Sequence, residues 1–266
     1  MSFPGATADR DDADYILVGA PLDVSASFHP GARFGPDRIR HFAASYEDYD
    51  HETGRRFTDL GVHDAGDVRA WADAAEFVEF LTGTLADVVR DGAVPLLVGG
   101  EHTVSVAGVR ATEPDVFVCL DAHLDLREAY DGNAWSHATA THRALSVADE
   151  AVLLGARSGS EREWERAGAD DVTVVPPEAV PDWEPDFDGD AYLSVDVDAA
   201  DPSVAPGTGT MEPFGLSGAA IHRVVRAVAH TAVGFDVVEV TDRDDGQAAA
   251  LAAKLLRAFV FAHADG

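Results

Sequence analysis

Six side chains that can bind metal ions follow apolar runs of this sequence, at the points where strands would end. The run Val94–Val98 is followed by His102, and Val116–Leu120 is followed by two aspartates and a histidine. A third run, Tyr192–Val197, contains one aspartate and is followed directly by another. Residues two apart in extended backbone point to the same side, so alternating members of the set face the same way. The six are His102, Asp121, His123, Asp125, Asp196 and Asp198.

This set of ligands indicates two divalent cations rather than one. Four carboxylates and two imidazoles exceed the needs of a tetrahedral zinc, and the single cysteine, Cys119, lies in an apolar run typical of a buried, inert thiol. Oxygen ligands with some nitrogen suit Mn²⁺, and carboxylates can bridge two ions about 3.5–4 Å apart. The alternative is an exposed acidic surface, but the Gly99-Gly100 turn and the two histidines favour the metal site.

The composition excludes several classes of protein. The 266 residues carry a formal net charge of −29, and Lys254 is the only lysine. Such a shell repels nucleic acid and indicates adaptation to a salty interior, because the Debye length falls to about 3 Å at molar salt. The segment Met1–Asp14 is too acidic for a secretory signal, and no apolar run reaches about 18 residues. We therefore expect a cytoplasmic protein that binds neither membranes nor nucleic acid.

The apolar patterning predicts one α/β domain over residues 14–266, preceded by a flexible N-terminus over residues 1–13. Continuous Val- and Leu-rich runs are typical of strands buried on both faces, and they alternate with amphipathic helical segments. This alternation predicts a three-layer α/β/α fold with a mainly parallel sheet. Helices are predicted over about Asp73–Arg90 and Gln247–His263, and others begin near Thr103, His137, Ser160 and Ser217. The predicted strands are Tyr15–Gly19, Val94–Val98, Val116–Leu120, Ala151–Leu154, Val172–Val175, Tyr192–Val197 and Ala232–Val238.

The sequence resembles the ureohydrolase family, which includes arginases and agmatinases, over nearly its whole length. Gly99–His102 is similar to the family's first ligand motif and Asp121–Asp125 to its second. The segment Ser194–Gly209 is similar to the third, which is long and specific. The opening motif, Gly19–Asp23 followed by Pro30–Pro36, is closer to agmatinases than to arginases.

The resemblance implies an arginase-like fold, a binuclear manganese centre and a homo-oligomer, often a trimer or hexamer. By position, one ion would be held by His102, Asp121, Asp125 and Asp196, and the other by His123, Asp121, Asp196 and Asp198. Asp121 and Asp196 would then bridge the two ions, and Asp125 would orient the attacking hydroxide. The resemblance also implies that Glu239 binds the guanidinium group of the substrate. It assigns proton transfer to His137, for which His142 is a rival candidate.

The activity implied by the resemblance is hydrolysis of agmatine to putrescine and urea. The alternatives are related small guanidino or formimino compounds, namely guanidinobutyrate, arginine and formiminoglutamate. Two departures from the family pattern bear on the substrate: Thr241-Asp242 after Glu239, and the segment Met211–Phe214. Glu101 replaces the commoner Asp at a position that does not bind metal. A metal-free structural or regulatory relative and a zinc enzyme acting on acetylated amines are less consistent with six intact ligands.

Overall fold

A parallel sheet forms the centre of this computed structural model, which describes residues 1–69 and 72–266. Its eight strands lie in the order β2-β1-β3-β8-β7-β4-β5-β6, and every neighbouring pair is parallel. The carboxyl ends of all the strands therefore lie along one edge of the sheet. The strands are β1 Tyr15–Ala20, β2 Val62–Asp67, β3 Val94–Gly99, β4 Val116–Leu120, β5 Glu150–Leu154, β6 Val172–Val175, β7 Ala191–Asp196 and β8 Ala232–Val238.

Helices cover the two faces of the sheet and complete the three layers. On one face α7 packs against α1 and α6, and on the other α3 packs against α2 and α4. In the part of the chain that the structure describes, no helix is long and apolar enough to cross a membrane. The helices are α1 Gly35–Ala43, α2 Ala74–Arg90, α3 Ser105–Thr112, α4 Ala140–Ala144, α5 Glu161–Arg166, α6 Gly218–Ala229 and α7 Gln247–His263.

Alternate residues of the central strands enter different hydrophobic clusters, which explains their continuous apolar sequence. In β1, Leu17 packs with the α1 and α7 side of the core, whereas Ile16 and Val18 pack with Phe77 and other residues of α2. All three β1 side chains are essentially inaccessible to solvent. Burial on both faces is the property that the Val- and Leu-rich runs predict, and it fixes the strand ends relative to one another.

The predicted fold class is confirmed, and seven predicted strands are present with small shifts at their ends. Two elements are missing from the prediction. The edge strand β2 reads Val-His-Asp-Ala-Gly-Asp and is only partly buried, so it lacks an apolar run. Helix α1 begins at Gly35-Pro36 and buries Arg40, which ion-pairs with Asp64 at 2.8 Å, so its buried face is not purely apolar.

The segment 1–13, expected to be flexible, makes specific contacts with the core. Phe3 is buried against Phe57, with ring centroids 5.7 Å apart. Its backbone N–H donates to the Asp64 carboxylate, and the N–H of Ala8 donates to the carbonyl of Val62. A buried aromatic ring near the start of the chain therefore holds part of this segment against the domain.

Candidate metal centre

The side chains predicted to bind metal lie at the ends of neighbouring strands in the middle of the sheet. The strands β3, β8, β7 and β4 are adjacent in that order. His102 lies just after β3, Glu239 just after β8, Asp196 ends β7 and Asp121 follows β4. Parallel pairing brings these positions to one edge, where ligand sites of such sheets form.

A glycine turn brings His102 to this edge. A Cβ atom at Gly100 would overlap the backbone of Leu22, so a larger residue cannot occupy the turn after β3. Two acidic site residues also have left-handed backbone: φ is 49° at Asp125 and 61° at Glu239. Such conformations are costly for residues other than glycine and are typical of sites where geometry serves function.

Three carboxylates surround the Nδ1 atom of His102. This atom lies 2.9 Å from Asp125 Oδ2, 3.0 Å from Asp121 Oδ2 and 3.7 Å from Asp196 Oδ2. All four side chains are buried. One imidazole nitrogen and three carboxylates converging on a point form a donor set suited to a hard divalent cation.

A second group forms around His123 beside the first. His123 Nδ1 lies 3.0 Å from Asp198 Oδ2 and 3.5 Å from Asp121 Oδ1. The other oxygen of Asp198 accepts a hydrogen bond from the N–H of Ala122. Asp196 Oδ1 accepts from the N–H of Asp198 at 2.9 Å. Asp121 therefore faces both histidines, as a carboxylate shared by two ions would.

The charges of this cluster also fit a pair of cations. Asp121 Oδ2 is buried and accepts no hydrogen bond from the residues that the structure describes. Burial and the charge of Asp121 raise the pKa of Asp125 to about 6. Burial, together with Asp198 and Asp121, raises the pKa of Asp196 well above its ordinary value. Positive charge placed among these carboxylates would remove the cost of ionising them together.

Cys119 lies on the other side of the His102 ring. Its sulfur is 3.6 Å from Nε2, whereas the carboxylates face Nδ1. Burial raises the pKa of this thiol above its ordinary value, so it stays protonated. The buried thiol predicted from the sequence is consistent with this placement.

A buried polar pair behind His102 is absent from the sequence prediction. Ser194 Oγ lies 3.3 Å from His102 Nε2 and 2.6 Å from Asp236 Oδ1. Both residues are fully buried within the strands β7 and β8. A hydroxyl that donates to Asp236 can accept from Nε2–H, which leaves the Nδ1 lone pair facing the carboxylates. The sequence did contain a signal for this pair, because a serine and an aspartate interrupt the otherwise apolar runs that form β7 and β8.

Glu239 lies directly beside the first histidine. Its Oε1 atom accepts a hydrogen bond from the N–H of His102 at 2.9 Å, and the residue is 7% exposed. Burial and the nearby carboxylate of Glu101 raise the pKa of Glu239 to about 8. Glu101 itself accepts hydrogen bonds from the N–H and the hydroxyl of Ser25. Glu101, which replaces the commoner Asp of the first motif, therefore binds the loop that contains Ser25 and does not face His102 Nδ1.

A cavity of about 310 Å³ opens next to the cluster. His123, Asp125 and His137 line it, together with Tyr130 and the ion pair of Arg127 and Glu163, whereas Glu239 is not among its described lining residues. His137 begins a short 3-10 turn, and its Nε2 atom lies 2.9 Å from Ser27 Oγ. Burial and the charges of His102 and His123 lower the pKa of His137 to about 4. His142 lines a neighbouring cavity instead.

Comparison with known proteins identifies the family. A model of the Arginase family matches residues 13–262. The chain belongs to the arginase family. Among the relatives of this arginase-family chain is the agmatinase of Pyrococcus horikoshii, which is 34% identical over 96% of this chain and 93% of its own length. The N(1)-aminopropylagmatine ureohydrolase of Thermococcus kodakarensis is 33% identical over 96% and 92%.

Solved structures give the same result. The agmatine ureohydrolase of Thermoplasma volcanium superimposes with a TM-score of 0.93 and 32% identity, covering 99% of this chain and 94% of that one. As an arginase-family member with these relatives, the chain is a hydrolase of the ureohydrolase kind.

Proposed function

We propose that this protein hydrolyses agmatine to putrescine and urea at a centre of two divalent metal ions, Mn²⁺ being the expected metal. The observation that carries the proposal is the pair of histidine Nδ1 atoms facing four buried carboxylates at one sheet edge. When bound, two such ions would offset the carboxylate charge and make water a nucleophile at neutral pH. A strong nucleophile is required because the charge of a guanidinium group is delocalised over three nitrogens.

The proposed ligands divide into two groups that share two carboxylates. His102 and Asp125 would hold one ion, and His123 and Asp198 would hold the other. Asp121 and Asp196 would contribute to both sites. The short distances from His102 Nδ1 to three carboxylates, and from His123 Nδ1 to Asp198, support this division.

Three of the chain's residues would act on the substrate directly. Asp125, which lines the cavity, accepts a hydrogen bond from the attacking oxygen and orients it. Glu239 accepts hydrogen bonds from the guanidinium group, with its Oε1 fixed by the N–H of His102. His137 passes a proton to the departing amine, a role that its position in the cavity lining supports.

The choice of agmatine rests on the named relatives. The agmatinase of Pyrococcus horikoshii and the agmatine ureohydrolase of Thermoplasma volcanium match nearly the whole chain.

A comparison of kcat/KM among related substrates tests the proposal. The protein, purified in high salt and supplied with Mn²⁺, is offered agmatine, N(1)-aminopropylagmatine, guanidinobutyrate, arginine and formiminoglutamate in separate assays. We expect the highest kcat/KM with agmatine. A higher kcat/KM with any other compound would replace agmatine as the substrate and leave the metal chemistry intact. Turnover of none of them would contradict the proposed reaction.

The family resemblance also leads us to propose a homo-oligomer, a trimer or a hexamer. Light scattering in high salt measures its mass directly. A particle of 28.1 kDa, the mass of one chain, would contradict this part of the proposal.

A further inference from the structure

One arginine beside the site directs its guanidinium group entirely at backbone carbonyls. Arg157 follows β5, and its side chain donates hydrogen bonds to three consecutive carbonyls of the segment that begins with Asp198. Two further acceptors belong to the loop containing Glu212. Among the residues that the structure describes, no carboxylate lies within ion-pair distance of this group. The acceptors are the carbonyls of Gly155 at 3.0 Å, Asp198 at 2.9 Å, Ala199 at 3.3 Å, Ala200 at 3.4 Å, Glu212 at 2.7 Å and Pro213 at 3.1 Å.

The backbone of the same arginine is attached to the other ligand segment. The N–H groups of Arg157 and Ser158 both donate to the carbonyl of Ala122, at 2.8 and 2.9 Å. Ala122 lies between Asp121 and His123, and His123 forms an isolated bridge with Ser158. Arg157 therefore joins the segment that carries His123 to the segment that carries Asp198.

The surrounding chain leaves little freedom to the guanidinium group. A Cβ atom at Gly215 would lie 2.5 Å from Arg157 Nη2, so glycine provides the space through which the side chain passes. The loop held by Arg157 also brings Glu212 Oε1 to 4.0 Å from His123 Nε2, on the side of the ring away from Asp198. Two hydrogen bonds from Arg157 fix this loop, at Glu212 and Pro213.

We propose that Arg157 is a positioning residue for the metal centre, which sets the separation of His123 and Asp198 without touching metal or substrate. This inference rests on the proposed two-metal function. The two ligands are 3.0 Å apart and come from different loops, and Arg157 adds hydrogen bonds to both loops beside the direct one from the N–H of Ala122 to Asp198. A planar guanidinium with five fixed donors can span these carbonyls, whereas a lysine ammonium cannot.

The test compares Arg157→Lys with a matched control, Arg223→Lys. Arg223 also donates to two loop carbonyls, those of Val180 and Trp183, and pairs with Glu184, but it lies outside the metal cluster. Binding of Mn²⁺ to chelator-treated protein is measured by calorimetry and by the electron paramagnetic resonance signal of free Mn²⁺. Melting temperatures in chelator are recorded for the same proteins.

We expect Arg157→Lys to weaken binding of one of the two ions by about 10–100-fold, the usual effect of removing an outer partner of a metal ligand. Arg223→Lys should bind both ions as the wild type does, even if its melting temperature falls as much as that of Arg157→Lys. The KM for agmatine should change less than kcat at limiting Mn²⁺, and saturating Mn²⁺ should restore kcat.

Two results would overturn the inference. Unchanged Mn²⁺ affinity in Arg157→Lys would show that the arginine only stabilises the fold. If both Arg157→Lys and Arg157→Gln fail to fold while Arg223→Lys folds, then Arg157 is needed for folding and does not act by positioning the metal ligands. A wild-type protein that binds no Mn²⁺ would instead contradict the proposed function.

Discussion

Replacing Asp125 with asparagine should stabilise the metal-free protein at neutral pH while impairing metal binding. Asp125 is 5% exposed, and burial and the charge of Asp121 raise its pKa from 3.8 to about 6. A folded protein that resists ionisation of a carboxyl group loses stability as pH rises above the ordinary pKa of that group. The asparagine amide has a similar shape but carries no charge.

The size of the effect follows from the shift in pKa. A shift of about two units, at about 1.36 kcal/mol each, is at most about 3 kcal/mol at pH 7. For a chain of this length that corresponds to roughly 6–12 °C in melting temperature. The penalty is absent below about pH 4, where the wild-type carboxyl is protonated in both the folded and unfolded states. The advantage of the variant should therefore grow between pH 4 and pH 7.

Thermal unfolding in high salt, followed by circular dichroism, measures this difference. Wild type, Asp125→Asn and the control Asp87→Asn, whose carboxylate is 59% exposed, are melted in chelator at several pH values. With Mn²⁺ the order should reverse, because the wild type binds the ion and the variant lacks one ligand. A variant that is less stable than wild type in chelator at pH 7, or a difference independent of pH, would refute the reasoning.

Three further predictions concern the substrate, proton transfer and salt. Glu239→Gln should lower kcat/KM for agmatine by at least about 30-fold, because losing one partner of a buried charged pair costs about 2 kcal/mol or more. Steady-state kinetics measures this change. An unchanged KM and kcat would exclude a contact between Glu239 and the guanidinium group. His137→Ala should lower kcat by a factor of about 10²–10⁴ with little change in KM. His142→Ala, in the neighbouring cavity, should have little effect on either constant. A larger loss of kcat in His142→Ala than in His137→Ala would assign proton transfer to His142. With a net charge of −29, the melting temperature should rise steeply between dilute buffer and molar KCl; a value indifferent to salt would contradict adaptation of the acidic surface.

The positions of the proposed ligands were predictable because they depend on strand ends. Apolar runs mark β3, β4 and β7, and parallel pairing then brings the residues that follow them to one edge. Helix α2 was predictable for a similar reason, since Asp73 caps it by accepting from the N–H of Glu76 and its apolar face repeats every three to four residues.

Other features carry no comparable signal in the sequence. Strand β2 forms by pairing with β1, so its polar residues become a strand through tertiary contact and not through their own preference. The role of Arg157 depends on carbonyl groups, which every residue possesses, and on the space left by Gly215. The pairing of Ser194 with Asp236 depends on the register between β7 and β8, which places the two residues opposite each other.

The central claim is that two ions, held by the six clustered side chains, are required for hydrolysis. It is tested most directly by adding Mn²⁺ stepwise to chelator-treated protein and measuring urea release from agmatine at each step. The account predicts no urea without added metal and a rate that levels off at two ions per chain. Full activity in chelator, or a rate that levels off at one ion per chain, would contradict it.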